Sequence, residues 1–243
     1  MAIRVAVNGA QGKMGQEVIK AINATEDLVL VAEADKQDDL SQLIANSAAQ
    51  VVVDFTTASA AYINARTIIA ANAHPVIGTS GLVMEQVEEL ALLCHEKKLG
   101  GIIAPNFALG AVLMMQYAQN CARYFPDVEI IEMHHANKAD APSGTAIRTA
   151  EMLAEVQAGP SVNPSAQEKF AGVRGGRYLN IPIHSIRLPG LVAHQTIMFG
   201  GLGQSLTIRH DTYNREAFMP GVCLACRKVI ELETLVFGLE HIL

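Results

Sequence analysis

Ile3-Arg4-Val5-Ala6-Val7 leads through Asn8 into Gly9-Ala10-Gln11-Gly12-Lys13-Met14-Gly15, and behind this turn Met14, Val18 and Ile22 recur at every fourth position. The apolar run reads as a strand and the recurrence as the buried stripe of a helix. The glycines between them allow a tight turn and a close approach of backbone to a pyrophosphate. The helix start adds unpaired N–H groups and a partial positive charge. Plain strand-to-helix geometry also needs such a turn, so its chemical meaning rests on two neighbours. Lys13 can add a charge contact to phosphate, and Asp35 closes the next strand about twenty residues on, where an acid reads a ribose hydroxyl. Lys36 follows and can turn its ammonium toward a further phosphate on that ribose.

Outward from this stretch, strand-like runs fall at Leu28–Ala32, Val51–Phe55, Pro75–Gly78 and Gly101–Ala104, with helical spacing over Ala58–Ala71 and Val83–Lys97. Nearly continuous apolar strands alternating with helices predict an α/β, doubly wound, Rossmann-like domain with a parallel sheet. Two loops then sit at the carboxyl edge where such sheets bind ligands, Gly78-Thr79-Ser80-Gly81 and Ala104-Pro105-Asn106-Phe107. After Asn106 the pattern changes. Helical spacing covers Ala111–Arg123, a strand Val128–Met133, and a helix starts at Ser143-Gly144-Thr145. A Gly-, Pro- and Ser-rich stretch, Gly159–Gly176, is expected to be a mobile surface loop. Three strand-like runs follow without helices between them: Ile181–Arg187, Gln195–Phe199 and Ser205–His210. They predict an antiparallel or mixed sheet, and a closing helix over Ala217–Leu232 resembles the first domain again. The expected organisation is a discontinuous nucleotide-binding domain, 1–105 plus 215–243, with an inserted α+β domain, 106–214, for substrate and oligomer contacts.

The 243 residues are half hydrophobic and carry 18 Lys and Arg against 24 Asp and Glu, a formal charge of −6. This composition buries a large core and argues against disorder and against a general nucleic-acid binder. No apolar run reaches the ~18 residues of a membrane span, and four cysteines are too few for a disulfide framework, so a cytoplasmic protein is expected. Cys223 and Cys226 have redox-motif spacing but lie in an apolar helical stretch, where packing is the plainer role.

The densest chemistry lies in Glu132-Met-His134-His135-Ala-Asn-Lys138-Ala-Asp140-Ala-Pro-Ser143-Gly144-Thr145. Two histidines and a lysine supply proton donors, and the helix start is a seat for a carboxylate. Surface histidines, a solvated lysine and an ordinary helix cap at Ser143 would explain each piece singly. Their convergence points to an anionic substrate. No metal is expected, because adjacent histidines in a strand point to opposite faces.

This string closely resembles the signature of the 4-hydroxy-tetrahydrodipicolinate reductase family, also called dihydrodipicolinate reductases, of the diaminopimelate route to lysine. The resemblance runs over essentially the whole chain, through Gly9–Gly15, Val53-Asp-Phe-Thr56, the Gly78 loop, Ala104–Phe107 and Arg215-Glu-Ala-Phe218. It implies NADH or NADPH as cofactor, with Gly9 to Met14 on the pyrophosphate and Asp35 on the adenosine ribose. Gly78, Thr79, Ser80 and Ala104 to Phe107 would flank the nicotinamide. It also implies His134 as proton donor and acceptor, Lys138 as proton donor, and His135, Gly144 and Thr145 as substrate contacts. A dicarboxylate substrate and a homotetramer complete what it implies, and the inserted domain is expected to close on the nucleotide domain about hinges near Asn106 and Arg215. Ser80 stands where the family has a second threonine, Ala193-His194 where many members have glycine and an acid, and the stretch from Asp35 to Val51 is short. Two rivals are another two-domain amino-acid-pathway dehydrogenase, which if it used a thioester intermediate would need a cysteine at a helix start where neither Cys94 nor Cys121 is placed, and a nucleotide-sensing regulator, which has no use for the histidine string.

Overall fold

Val5, Ala6, Val7, Val51, Val52 and Val53 have no solvent-exposed surface, the burial that continuous apolar strands undergo when helices cover both faces of a sheet. A computed structural model describes residues 2–79, 81–157 and 167–243. The chain divides into two units, Met1–Leu109 with Arg215–Leu243, and Gly110–Asn214. The first begins as β1 (Ile3–Asn8), α1 (Lys13–Asn23), β2 (Leu28–Ala34), α2 (Leu40–Ser47), β3 (Val51–Asp54), α3 (Ala58–Ala70), β4 (His74–Ile77), α4 (Met84–Lys97) and β5 (Gly101–Ile103). The second contains α5 (Leu109–Ala122), β6 (Asp127–His134), α6 (Gly144–Ala154), β7 (Gly176–Tyr178), β8 (Ile181–Arg187), β9 (Ala193–Gly201) and β10 (Gln204–Thr212). The first unit then resumes with α7 (Met219–Lys228) and β11 (Leu235–Phe237).

The first unit's sheet has the order β11-β5-β4-β3-β1-β2, with every neighbouring pair parallel. After β2 the chain crosses to the other side of β1 to form β3. This reversal opens a ligand crevice at the carboxyl ends of β1 and β3. Two elements add to the sequence reading. α2 has a single buried side chain, Ile44, under an Asp39 cap whose Oδ1 accepts from Gln42 N at 3.1 Å; so short an apolar stripe carries little periodic signal. β11 is three residues long and is a strand only through pairing with β5. The closing helix is also shorter than its apolar pattern, framed by 3-10 turns at Arg215–Phe218 and Val229–Glu231. Pro220 suits the first turn of α7 because it has no N–H to donate there. α7 is tied back by a two-pronged ion pair, Arg227 to Asp27, at 2.7 and 2.8 Å.

The second unit has a mixed sheet, β10-β9-β6-β8-β7, in which β6 and β8 are parallel and the other neighbours antiparallel. Val128, Ile130, Ile181, Ile183, Ile197 and Phe199 are buried, as are Ala146, Ala150 and Leu153 of α6. Their alternates in β6 and β9 differ: Glu129, Ile131 and Met133 are half-buried and Met198 is exposed. The loop expected over Gly159–Gly176 lies outside the described residues as far as 166; from there the chain turns, with Gly175 N donating to Gly172 O, into β7. The four cysteines are unpaired. Burial pushes the Cys94 thiol up to about 12 and raises those of Cys223 and Cys226, so packing is their role. Among the described residues no helix is long and apolar enough to cross a membrane, and no cluster suits a metal ion.

Candidate active site

At the crevice of the first unit, the turn after β1 is forced to be glycine. Gly9 has φ +81°, and a Cβ there would lie 2.6 Å from the Phe55 carbonyl oxygen. Gly12 N closes the turn on Gly9 O at 3.0 Å, and Gln11 N donates to Asp35 Oδ2 at 3.1 Å. Asp35 Oδ1 accepts from Lys36 N at 2.8 Å, and these two backbone donors, Lys36 first, hold the carboxyl below its usual range. The turn and the acid that follows β2 are therefore one connected piece. Gln11, Gly12, Lys13 and Lys36 are exposed, whereas Ala10 is buried and shapes the turn from within. The N–H groups of the first turn of α1, which includes Lys13 and Met14, have no intrahelical acceptor. This arrangement fits a dinucleotide pyrophosphate.

The neighbouring loops are fixed by two residues to which the sequence reading gives no role. Asp54, at the end of β3, is fully buried and accepts from Asn8 Nδ2 (2.7 Å), Asn64 Nδ2 (2.8 Å), Thr56 Oγ1 (2.8 Å) and Thr79 Oγ1 (2.9 Å). It joins the ends of β1, β3 and β4. Phe55 packs against Gly78, where a Cβ would come within 2.0 Å of its ring, and meets Phe107 edge to face at 5.8 Å. Ala104 and Phe107 are each 2% exposed, so they support the loop from below, while Pro105 is exposed and Asn106 half-buried. Ser80 lies outside the described residues.

In the second unit, the Glu-x-His spacing puts Glu132 and His134 on one face of β6. His134 Nδ1 is 2.5 Å from Glu132 Oε2. Arg187, the register partner of His134 on β8, reaches back to Glu132 with Nη1 on Oε2 at 2.9 Å and Nη2 on Oε1 at 2.8 Å. The Glu132 side chain has no exposed surface. Burial would push its carboxyl up, but Arg187, Ser185 and His134 outweigh that and hold it below the usual range. Burial also lowers the proton affinity of His134, with Lys138 and Arg187 adding to the effect and Glu132 opposing it. An imidazole neutral near pH 7 results.

The following loop holds the rest of the string. Lys138 N donates to His135 O at 3.1 Å, and Lys138 Nζ to Asp140 Oδ1 at 2.7 Å. His135 is exposed. Ser143 caps α6, its Oγ accepting from Ala146 N at 3.2 Å, while its own N–H donates to Glu132 Oε1 at 3.3 Å. A Cβ built on Gly144 would meet nothing within 4 Å, so the first residue of α6 faces open space beside half-buried Thr145. His134, Lys138 and the start of α6 are thus held together by short contacts within this unit. Arg187 belongs to the same network and carries no signal in the sequence, where it ends an ordinary amphipathic strand.

A glycine turn with its paired acid in a doubly wound sheet, and a cluster of His134, Lys138 and their carboxylate partners beside an open helix start, are the features of a pyridine-nucleotide-dependent oxidoreductase. Residues 3–107 match the family model described as dihydrodipicolinate reductase, N-terminus, and residues 110–243 match the one for its C-terminus. The chain belongs to the dihydrodipicolinate reductase family. It is 53% identical, over the full length of both chains, to the 4-hydroxy-tetrahydrodipicolinate reductase of Coxiella burnetii (strain RSA 493 / Nine Mile phase I). The same enzyme of Legionella pneumophila (strain Corby) is 51% identical, again over both full lengths. Among solved structures, a dipicolinate-bound dihydrodipicolinate reductase from Paenisporosarcina sp. TG-14 matches with a TM-score of 0.93 at 45% identity, covering 100% of each chain.

Proposed function

We propose that this chain reduces 4-hydroxy-tetrahydrodipicolinate to tetrahydrodipicolinate with NADH or NADPH, in the diaminopimelate route of lysine biosynthesis. The observation that carries the reading is the pairing of His134 with buried Glu132 at the end of β6, followed directly by the loop of Lys138 and the open start of α6. Gly9 to Met14 and Asp35 hold the dinucleotide, and Gly78, Thr79 and Ala104 to Phe107 surround the nicotinamide, which when bound supplies the hydride. Water leaves the substrate, a ring carbon gains the hydride, and the neighbouring carbon gains a proton. His134 delivers that proton and Lys138 assists; burial lowers the proton affinity of His134, so its imidazolium gives the proton up readily. The N–H groups of Gly144 and Thr145, at the positive end of α6, take a substrate carboxylate, with His135 as a further contact. The dipicolinate held by the Paenisporosarcina relative is a dicarboxylate of this class.

The enzyme acts in the cytoplasm as a homotetramer, in this reading. Unpaired thiols suit a reducing compartment. The incompletely buried sheet face carrying Ile131, Met133 and Met198 suits contact with further copies. Mixing the protein with NADPH and the hydroxylated cyclic substrate tests the activity. Oxidation of NADPH that requires both protein and substrate is expected; nucleotide binding without oxidation would instead favour a sensor. Light scattering on the eluting protein gives the number of copies.

A further inference from the structure

The contacts of Glu132 fix more than a position. Its Oε1 accepts from Arg187 Nη2 and Ser143 N, and its Oε2 from Arg187 Nη1 and faces His134 Nδ1. The guanidinium and the backbone N–H can only donate, and the two-pronged, charge-assisted contact with Arg187 favours the ionised carboxylate, which can only accept. Nδ1 must then carry hydrogen in both protonation states of the ring, and the proton that comes and goes is on Nε2. Arg187 has two further contacts, Nη1 to Ile186 O at 2.8 Å and Nη2 to Asp140 O at 2.7 Å. Asp140 is the residue whose carboxylate holds Lys138 at 2.7 Å. One guanidinium thus grips the partner of His134 and the backbone of the partner of Lys138.

We infer that Glu132 and Arg187 are positioning residues for the reaction: together they confine the exchangeable proton of His134 to Nε2, and Arg187 sets the loop that presents Lys138. The inference rests on the proposed role of His134 as proton donor. The charged groups facing His134 are Glu132 on its own strand, Arg187 from β8, and Lys138 with Asp140 from the loop. Its neighbour on β9, Ala193, is uncharged. A fork is required at position 187 because two carboxylate oxygens and two carbonyls diverge around it. A lysine offers the same charge on one atom and cannot span them.

Nitrogen-15 NMR of ring-labelled histidine in the wild-type protein, without substrate, reads the tautomer directly. A neutral His134 with hydrogen on Nδ1 and a bare Nε2 is expected; hydrogen on Nε2 would overturn the inference without any variant. Glu132→Gln removes the negative charge that favours the imidazolium. The basic limb of the kcat profile should move to lower pH, the two tautomers should mix, and kcat should fall roughly 10- to 100-fold while nucleotide KM stays within about twofold. Arg187→Lys keeps the cation in place and guards against loss of folding. It should lower kcat roughly tenfold with a smaller pH displacement. Unchanged kcat and pH profiles in both folded variants would reduce the pair to a structural ion pair and overturn the proposal. His134→Gln separates the premise from the inference: normal turnover there removes the donor role, whereas the tautomer is read in wild-type protein independently of activity.

Discussion

The backbone N–H of Gln11 donates to the carboxylate of Asp35 at 3.1 Å, so the glycine turn and the acid at the end of β2 move as one piece. Each carboxylate oxygen already receives one backbone hydrogen bond, from Gln11 or Lys36, and retains lone pairs for ribose hydroxyls. In the proposed reading a ribose bearing a phosphate would meet this same negative charge, with exposed Lys36 and Lys13 close in sequence to offset it.

Nucleotide preference should therefore be modest and reversible by single changes. Asp35→Ala is expected to raise the KM for NADH more than that for NADPH, and Lys36→Ala to do the reverse, each by roughly five- to thirtyfold for a contact of about 1–2 kcal/mol. kcat/KM for both nucleotides in the three proteins decides it. A ratio unmoved by Lys36→Ala would pass the phosphate to Lys13 or to solvent.

Proton delivery gives the second prediction. His134→Gln should lower kcat by ~10²–10⁴ with nucleotide affinity near wild type, the range for loss of a general acid. Lys138→Ala should also impair turnover, with the larger effect on substrate KM if its ammonium chiefly meets a carboxylate. Normal turnover of His134→Gln at saturating substrate would remove it from the mechanism.

Gly144 offers a test of the carboxylate seat that leaves the fold intact. A methyl group at Gly144 meets no protein atom within 4 Å, so Gly144→Ala should melt within a few degrees of wild type, and its added Cβ would intrude only on a ligand. The KM for substrate should rise roughly tenfold, about 1.4 kcal/mol. Pyridine-2,6-dicarboxylate should compete with substrate in wild type and bind more weakly to the variant. Inhibition noncompetitive with substrate would place the anion elsewhere.

Asp54 should be a stability residue with a functional echo. Asp54→Ala leaves the amides of Asn8 and Asn64 and the hydroxyls of Thr56 and Thr79 without their buried acceptor. A loss of roughly 2–4 kcal/mol is expected. Because those groups hold the ends of β1, β3 and β4, nucleotide KM should rise in whatever fraction stays folded. Denaturant titration with and without NADH measures both effects.

Acid destabilisation should begin with histidines. Burial depresses the proton affinity of His134 and His210 below the ordinary value of 6.5. Below pH 6.5 the unfolded chain takes up protons that the folded chain still refuses, so stability falls with pH in that window. Glu132 and Glu129, held below their ordinary value of 4.5, add a second loss as pH falls through and below that value toward their folded ones. Tm should be flat near pH 7.5 and decline in two stages; a single decline starting below pH 4.5 would contradict the histidine contribution.

What the sequence determined by itself is what lies close together along the chain. The Gly9 to Gly15 turn, the strand–helix alternation and the string from Glu132 to Thr145 are each contiguous, so spacing alone exposes them and, through the string, the family. Glu132 was visible, and the period of two even sets it on the face of His134, but nothing local says what meets a buried carboxylate. That was decided by register: β6 and β8 lie parallel with His134 opposite Arg187, 53 residues apart by their numbers, and only this pairing supplies the cation. The same holds for Asp54, three of whose four donors come from separate segments, and for β11, three residues that become a strand only beside β5. Periodicity fixes which way a side chain faces. Which partner it faces depends on long-range strand pairing, whose energy is spread over many residues and leaves no mark at any one of them.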